Sequence, residues 1–211
     1  MRKIKFEDCK AYILEITQLI DSNKWLLIDL DSKTGDGDLG LTMSLDFRKA
    51  KEFVLTYKDE HEDIGRFFSK IGAIITKTIP CIMSSLIGTG FLKAGSSLGG
   101  KTELGIAEFN LFVQSFAQGV MERGKVMPGD RTLLDALHPA ALVAQEALEN
   151  NKDLSTMIKL VYAASQEGVE ATKNMPPTVG KALYHKAQCE GLPDQGAIVG
   201  MLIYKAWTKL I

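Results

Sequence analysis

Cysteine is scarce in this sequence. Cys9, Cys81 and Cys189 are spread over 211 positions with no C-x-x-C pair. That excludes a disulfide framework and the common cysteine-based metal or redox motifs, and it predicts reduced thiols in a cytoplasmic protein. Histidine is equally rare. His61, His138 and His185 do not form a metal-spaced set; His138, ahead of Pro139, reads as structural and the other two as surface. An excess of one charge is missing too. Twenty-five basic and 26 acidic residues leave a net charge of −1, so no global basic field points to nucleic acid. No apolar run is long enough to span a bilayer. The apolar N-terminal residues are interrupted by Glu7, Asp8, Lys10 and Glu15, which does not suit a signal peptide. Neither nucleic acid nor a membrane is expected as a partner.

Sustained two-residue alternation is absent, and with it the signal for a sheet. Three-to-four-residue spacing runs almost throughout. Cys9, Ile13, Ile16 and Ile20 mark one stripe, and Ile64, Phe67, Phe68, Ile71, Ile74 and Ile75 a second. Phe109, Phe112, Val113, Phe116 and Val120 mark a third, and Leu154, Met157, Ile158 and Val161 a fourth. Such stripes are core faces. Glycine and proline punctuate them at 35–40, 80, 99–100, 128–129, 176–177 and 191–196. The pattern predicts an all-α protein of about eight helices, near 5–23, 40–58, 62–78, 83–98, 103–123, 131–149, 153–173 and 195–210. Short connections favour antiparallel neighbours. Only 174–194 is long, the length of a lid or binding loop. No repeat, low-complexity tract or linker divides the chain, so 1–211 reads as one domain.

Three aspartates crowd one stretch, Asp31-Ser-Lys-Thr-Gly-Asp36-Gly-Asp38-Leu-Gly40. The glycines let the backbone turn so that the like charges can converge. Convergent carboxylates suit a hard cation such as Mg²⁺, which is usually shared with phosphate oxygens and water. A solvated acidic turn is the plain alternative. A calcium hand does not fit: counted from Asp29, its sixth position is Thr34 and its twelfth Gly40. The turn feeds a helix starting near Gly40, whose first N–H groups can face an anion beside the metal.

Several motifs in a fixed order resemble a known family, the ADP-binding L subunit of bacterial dihydroxyacetone kinase. They are Asp31-x4-Asp36-x-Asp38 with Gly40 and Met43, then Gly88-Thr89, then Arg123-Gly124-Lys125-x2-Pro128-Gly129-Asp130-Arg131-Thr132. Gly180-Lys181-Ala182 and Asp194-x-Gly196-Ala197 complete the series. The resemblance implies an antiparallel barrel of eight helices with a nucleotide at one end. It implies Mg²⁺ on Asp31, Asp36 and Asp38, and ADP or ATP contacts from Leu39, Gly40, Leu41 and Thr42. Ile82 and Met83 match a phosphate-side loop, Gly124 and Leu133 the adenine end, and Lys181 a basic catalytic position near the phosphates. Asp194, Gln195 and Gly196 match the closing side. Taken singly, Gly124 also reads as a helix C-cap, Asp194 as an N-cap, and Asp130 as the cap of a helix opening at Arg131.

The chain departs from the family at five places. Leu39 replaces a His, Thr42 an Asn, Lys181 an Arg and Gln195 a Pro, and Pro80-Cys81-Ile82-Met83-Ser84-Ser85 replaces a glycine-rich loop. Pro80 has no N–H, and bulky side chains hinder backbone approach to phosphate, so Ser84, Ser85 and Thr89 are expected to supply hydroxyl donors instead. The resemblance implies a phosphotransferase subunit. It would relay a phosphoryl group through Mg-bound nucleotide from a phosphohistidine protein to dihydroxyacetone on a separate K-type subunit. The alternatives are a non-catalytic relative acting as a binding or regulatory partner, and a helical barrel of another class.

Overall fold

A computed structural model describes residues 3–210. Eight long helices dominate the described residues: α1 (Phe6–Thr34), α2 (Leu39–Thr56), α3 (Ile64–Thr78), α4 (Ile82–Ser97), α5 (Ile106–Gly124), α6 (Leu134–Glu149), α7 (Leu154–Ala171) and α9 (Gln195–Trp207). The short α8 (Lys186–Cys189) and two 3₁₀ turns, Thr172–Asn174 and Lys181–His185, interrupt the segment expected to be a loop. A two-residue antiparallel ladder pairs β1 (Ile4–Lys5) with β2 (Glu103–Leu104).

Each long helix packs on the next in sequence, and α9 packs back on α1, so the all-α expectation is met by a closed ring of eight helices. All four apolar stripes face its interior, with Ile74 only partly covered. Tyr12 stacks on Trp207 at a centroid distance of 3.8 Å, and Phe68, Phe109 and Phe112 meet this pair edge-on.

Helix ends differ from expectation by up to three residues at most places and by more at the end of α1, and three of the differences have a clear local reason. Helix α1 was expected to end near residue 23 and runs to Thr34. The polar stretch after Ile20 holds no Gly or Pro to stop it. Asn23 Nδ2 donates back to Leu19 O at 2.8 Å, and Arg48 of α2 donates to Asp21. Helix α5 starts three residues late because 103–104 pairs with β1. Helix α6 starts at Leu134, not 131, because Arg131 adopts φ +61°, outside the helical region. Asp130 does not cap this helix: Asp135 accepts the N–H groups of Thr132 at 2.7 Å and Gly129 at 2.6 Å, and Asp130 that of Met127 at 2.6 Å.

Candidate functional site

The ring's connectivity defines one functional end. The connections after α1, α3 and α5 lead to the starts of α2, α4 and α6, and the longer one after α7, through α8, to the start of α9. A cleft of about 490 Å³ opens among these four connections. Helix starts carry unpaired N–H groups and positive dipole ends, which favour an anion. A smaller hollow of about 340 Å³, bordered by Lys173, Pro176, Pro177, Lys186 and Cys189, lies within the connection between α7 and α9, shares no lining residue with the cleft and gathers no carboxylate cluster.

The three aspartates converge in the larger cleft, one carboxylate oxygen from each lying within 4.8 Å of the others. They are presented differently. Asp31 sits in the last turn of α1 and is buried. Its Oδ1 accepts from Gln195 Nε2 at 3.0 Å, and its Oδ2 from the Leu39 N–H at 3.1 Å. Asp36 and Asp38 belong to the 35–38 connection and are exposed. Asp38 occupies the N-cap position of α2 yet makes no side-chain cap bond, leaving its carboxylate for the cluster.

Lys181, opening a 3₁₀ turn, is ion-paired with Asp36. The contact holds the Asp36 carboxyl below the usual range and raises the Lys181 ammonium above its own. Asp38 is pushed up, first by partial burial and then by the charges of Asp36 and Asp31. Crowded carboxylates with one member raised are what an added cation relieves. An all-oxygen donor set with two exposed members fits Mg²⁺.

The rest of the cleft divides by polarity. Cys81 caps α4: its Sγ accepts from Ser84 N at 3.3 Å and its carbonyl from Ser85 N at 3.1 Å. The N–H groups of Ile82 and Met83 therefore open that helix beside the cleft. Two of the expected hydroxyl donors are already engaged. Ser84 is buried and donates to Asp46 Oδ2 at 2.5 Å, and Thr89 donates to Ser85 O at 2.7 Å. Ser85 is not among the lining residues. Met83 and Leu86 of α4, with Val126 and Leu133, give the cleft an apolar lining beside Gly124, which is the last helical residue of α5; the left-handed cap falls on Lys125. Asp194 is indeed an N-cap, accepting from Ala197 N at 2.8 Å, and also lines the cleft with Gln195 and Gly196.

Of the expected contacts, Gly40 and Leu41 do not line the cleft. The helical repeat puts Leu39 and Thr42 on one face and turns the two residues between them away. A Cβ on Gly40 would lie 2.3 Å from Lys24 O, so this glycine serves close packing of α2 on α1. Leu41 is exposed.

Sequence reasoning missed Arg131 as a lining residue. Its buried guanidinium donates to Thr172 O at 3.3 Å, Cys189 O at 3.3 Å and Leu192 O at 3.0 Å, and lies 3.7 Å from Asp194. Burial pushes the Asp194 carboxyl up to about 6, while the Ala197 N–H and Arg131 pull it back. Only the position of Arg131 within the Gly-Asp-Arg-Thr run marked it. Val179 and Thr34 also line the cleft and carried no signal.

Comparison with known proteins gives the family of the chain. The DAK2 domain family matches residues 33–209. The ADP-binding subunit DhaL of a PEP-dependent dihydroxyacetone kinase from Listeria innocua is 30% identical over 179 residues, 85% of this chain and 82% of that protein. The corresponding Escherichia coli subunit is 28% identical over 171 residues, 81% of this chain and 80% of that protein. The crystal structure of the C. freundii dihydroxyacetone kinase with AMP-PNP and Mg²⁺ aligns at a TM-score of 0.68 and 26% identity. The alignment covers 94% of this chain and 33% of that one. The match over 33–209 spans most of the sequence, and this chain belongs to the DAK2 domain family.

Proposed function

We propose that this chain, read as one nucleotide-binding domain over 1–211, is the nucleotide-binding subunit of a dihydroxyacetone kinase. It would carry a phosphoryl group on Mg-bound ADP/ATP to dihydroxyacetone held by a K-type subunit, the donor being a phosphohistidine protein of the phosphotransferase system, in the cytoplasm. The observation that carries this reading is the convergence of Asp31, Asp36 and Asp38 with Lys181 at the end of the ring where four helices begin. Relatives named as ADP-binding kinase subunits support it.

Asp31, Asp36 and Asp38 would hold Mg²⁺, which when bound neutralises charge on the phosphates. Lys181 would shift from Asp36 toward the transferring phosphoryl group and balance its negative charge. The first N–H groups of α4, at Ile82 and Met83, and Thr42 on α2 would receive phosphate oxygens. Leu133, Leu86 and Val126 would cover one face of the purine beside Gly124, and Asp194 to Gly196 would close the site. No general base is expected on this chain, because the accepting hydroxyl sits on the partner.

A second reading, a non-catalytic binding partner, is favoured by one observation. Ser84 and Thr89 point their hydroxyls into the protein, so α4 offers phosphate fewer donors than a glycine-rich loop would. Calorimetric titration of ADP with and without Mg²⁺ separates the two. The kinase reading expects Mg²⁺-dependent binding, its loss in Asp36→Ala, and loss of phosphoryl transfer by that variant in a system reconstituted with both partners. Absence of nucleotide binding to the wild-type chain would overturn the bound-nucleotide mechanism. Full transfer activity in Asp36→Ala would overturn the role of the aspartates.

A further inference from the structure

Among the three clustered carboxylates, only Asp31 is buried and held by protein on both oxygens. One of its holders is a neutral side chain from the other end of the sequence, Gln195, the first residue of α9. An ionised carboxylate only accepts hydrogen bonds, so the NH₂ of Gln195 must be the group that faces Asp31. The other end of the same amide faces Thr34. Its Oε1 lies 3.2 Å from Thr34 Oγ1, which also lies 3.1 Å from Leu30 O. When the Thr34 hydroxyl points at Gln195, it pins the amide in the orientation that Asp31 needs. Thr34 is buried and one helical turn beyond Asp31 on α1, so the two anchors of this clamp share one rigid element.

We infer that Gln195, oriented by Thr34, is a positioning residue that fixes the carboxylate plane of Asp31 and thereby sets both the affinity and the choice of the bound divalent cation. The inference rests on the reading of Asp31, Asp36 and Asp38 as cation ligands. Groups behind metal ligands fix ligand orientation, and their loss weakens binding about 10–100-fold. Orientation matters most for Mg²⁺, which demands near-ideal octahedral geometry. Ca²⁺ accepts irregular and bidentate carboxylates. A clamped Asp31 beside two exposed, rotatable aspartates thus provides one fixed reference ligand and favours the smaller ion. A freed Asp31 turns and serves Ca²⁺ nearly as well.

The test is Mn²⁺ binding to the full chain followed by electron paramagnetic resonance, with Mg²⁺ and Ca²⁺ as competitors. The variants are Gln195→Leu, Thr34→Val and Thr34→Ser, and the metal-free melting temperature of each is recorded. The expected result is a drop of about tenfold or more in Mg²⁺ affinity for Gln195→Leu, with a smaller drop for Ca²⁺. Thr34→Val should shift the same ratio by less, and Thr34→Ser should restore it. Wild-type cation binding together with an unchanged Mg²⁺-to-Ca²⁺ ratio in Gln195→Leu would overturn this inference alone. So would an equal loss of both ions that follows a fall in melting temperature, since that marks a purely structural role. A wild-type chain that binds none of the three ions would overturn the reading of the aspartates, and this inference with it.

Discussion

Asp46 shows how much one buried group can govern. It is fully buried on α2, one oxygen accepts from Ser84, and the other has no protein partner. Burial pushes its carboxyl from the ordinary 3.8 up to about 7, with the Ser84 hydrogen bond pulling it back. Between those values the folded protein holds a proton that the unfolded chain has released. Stability is therefore greatest at the acid end of that window, declines as pH rises, and levels off above about 7. Asp46→Asn keeps the shape and removes the charge. Urea midpoints at pH 5 and pH 8 should fall less between the two values for Asp46→Asn than for wild type, and the variant should be the more stable at pH 8. Equal slopes for the two proteins would show that Asp46 does not titrate in that window. Sequence gave no warning of this residue, because burial of a carboxyl on an amphipathic helix depends on which neighbour covers it.

The elements meet at two kinds of joint, and each predicts a different failure. Helices α3 and α4 touch backbone to backbone: a Cβ on Gly72 would lie 2.5 Å from Gly88 O and 2.7 Å from Leu92 N. Gly72→Ala should force the pair apart and cost about 2 kcal/mol, read as a lowered urea midpoint with helical content unchanged. The segment 172–194 is fastened differently, by polar contacts: the buried guanidinium of Arg131 reaches Thr172, Cys189, Leu192 and Asp194, while Thr178 bonds to Asp130 and Lys181 pairs with Asp36 nearer the surface. Arg131→Met should cost about 3 kcal/mol, because it strands buried acceptors and leaves Asp194 unpaired. It should also speed amide exchange across 172–194 more than in α3 or α4. Uniform exchange throughout the ring would argue against Arg131 as the fastener. Such joints explain what could be read in advance. The apolar stripes are local and repeat every turn, so helix identity and the ring's inner faces were readable from spacing. The convergence of the aspartates was readable because the glycines between them let the backbone turn. The continuation of α1 past its polar stretch, the late start of α6 and the role of Arg131 were not, since each depends on a contact made by residues distant in sequence.

At the scale of the molecule, the ring places four helix starts, three carboxylates and Lys181 at one end, although Asp36 and Lys181 stand 145 positions apart. A site assembled from both ends of the sequence exists only when the whole ring is closed. Unfolding should then be a single event. With Trp25→Phe removing the exposed indole, fluorescence of the buried Trp207 should follow the same urea curve as far-ultraviolet circular dichroism. Separate transitions would mean that the α1–α9 seam opens on its own. That seam also has a consequence for biosynthesis. The Tyr12 face of α1 leaves the ribosome 195 residues before its cover, Trp207 (207 − 12). At about 5–20 residues per second the delay is on the order of 10–40 s. Throughout that interval the growing chain presents an uncovered aromatic surface to its surroundings, and a message interrupted before the stretch encoding α9 would leave it uncovered for good. Such truncated products are expected to aggregate or be held by chaperones, however well their other helices form.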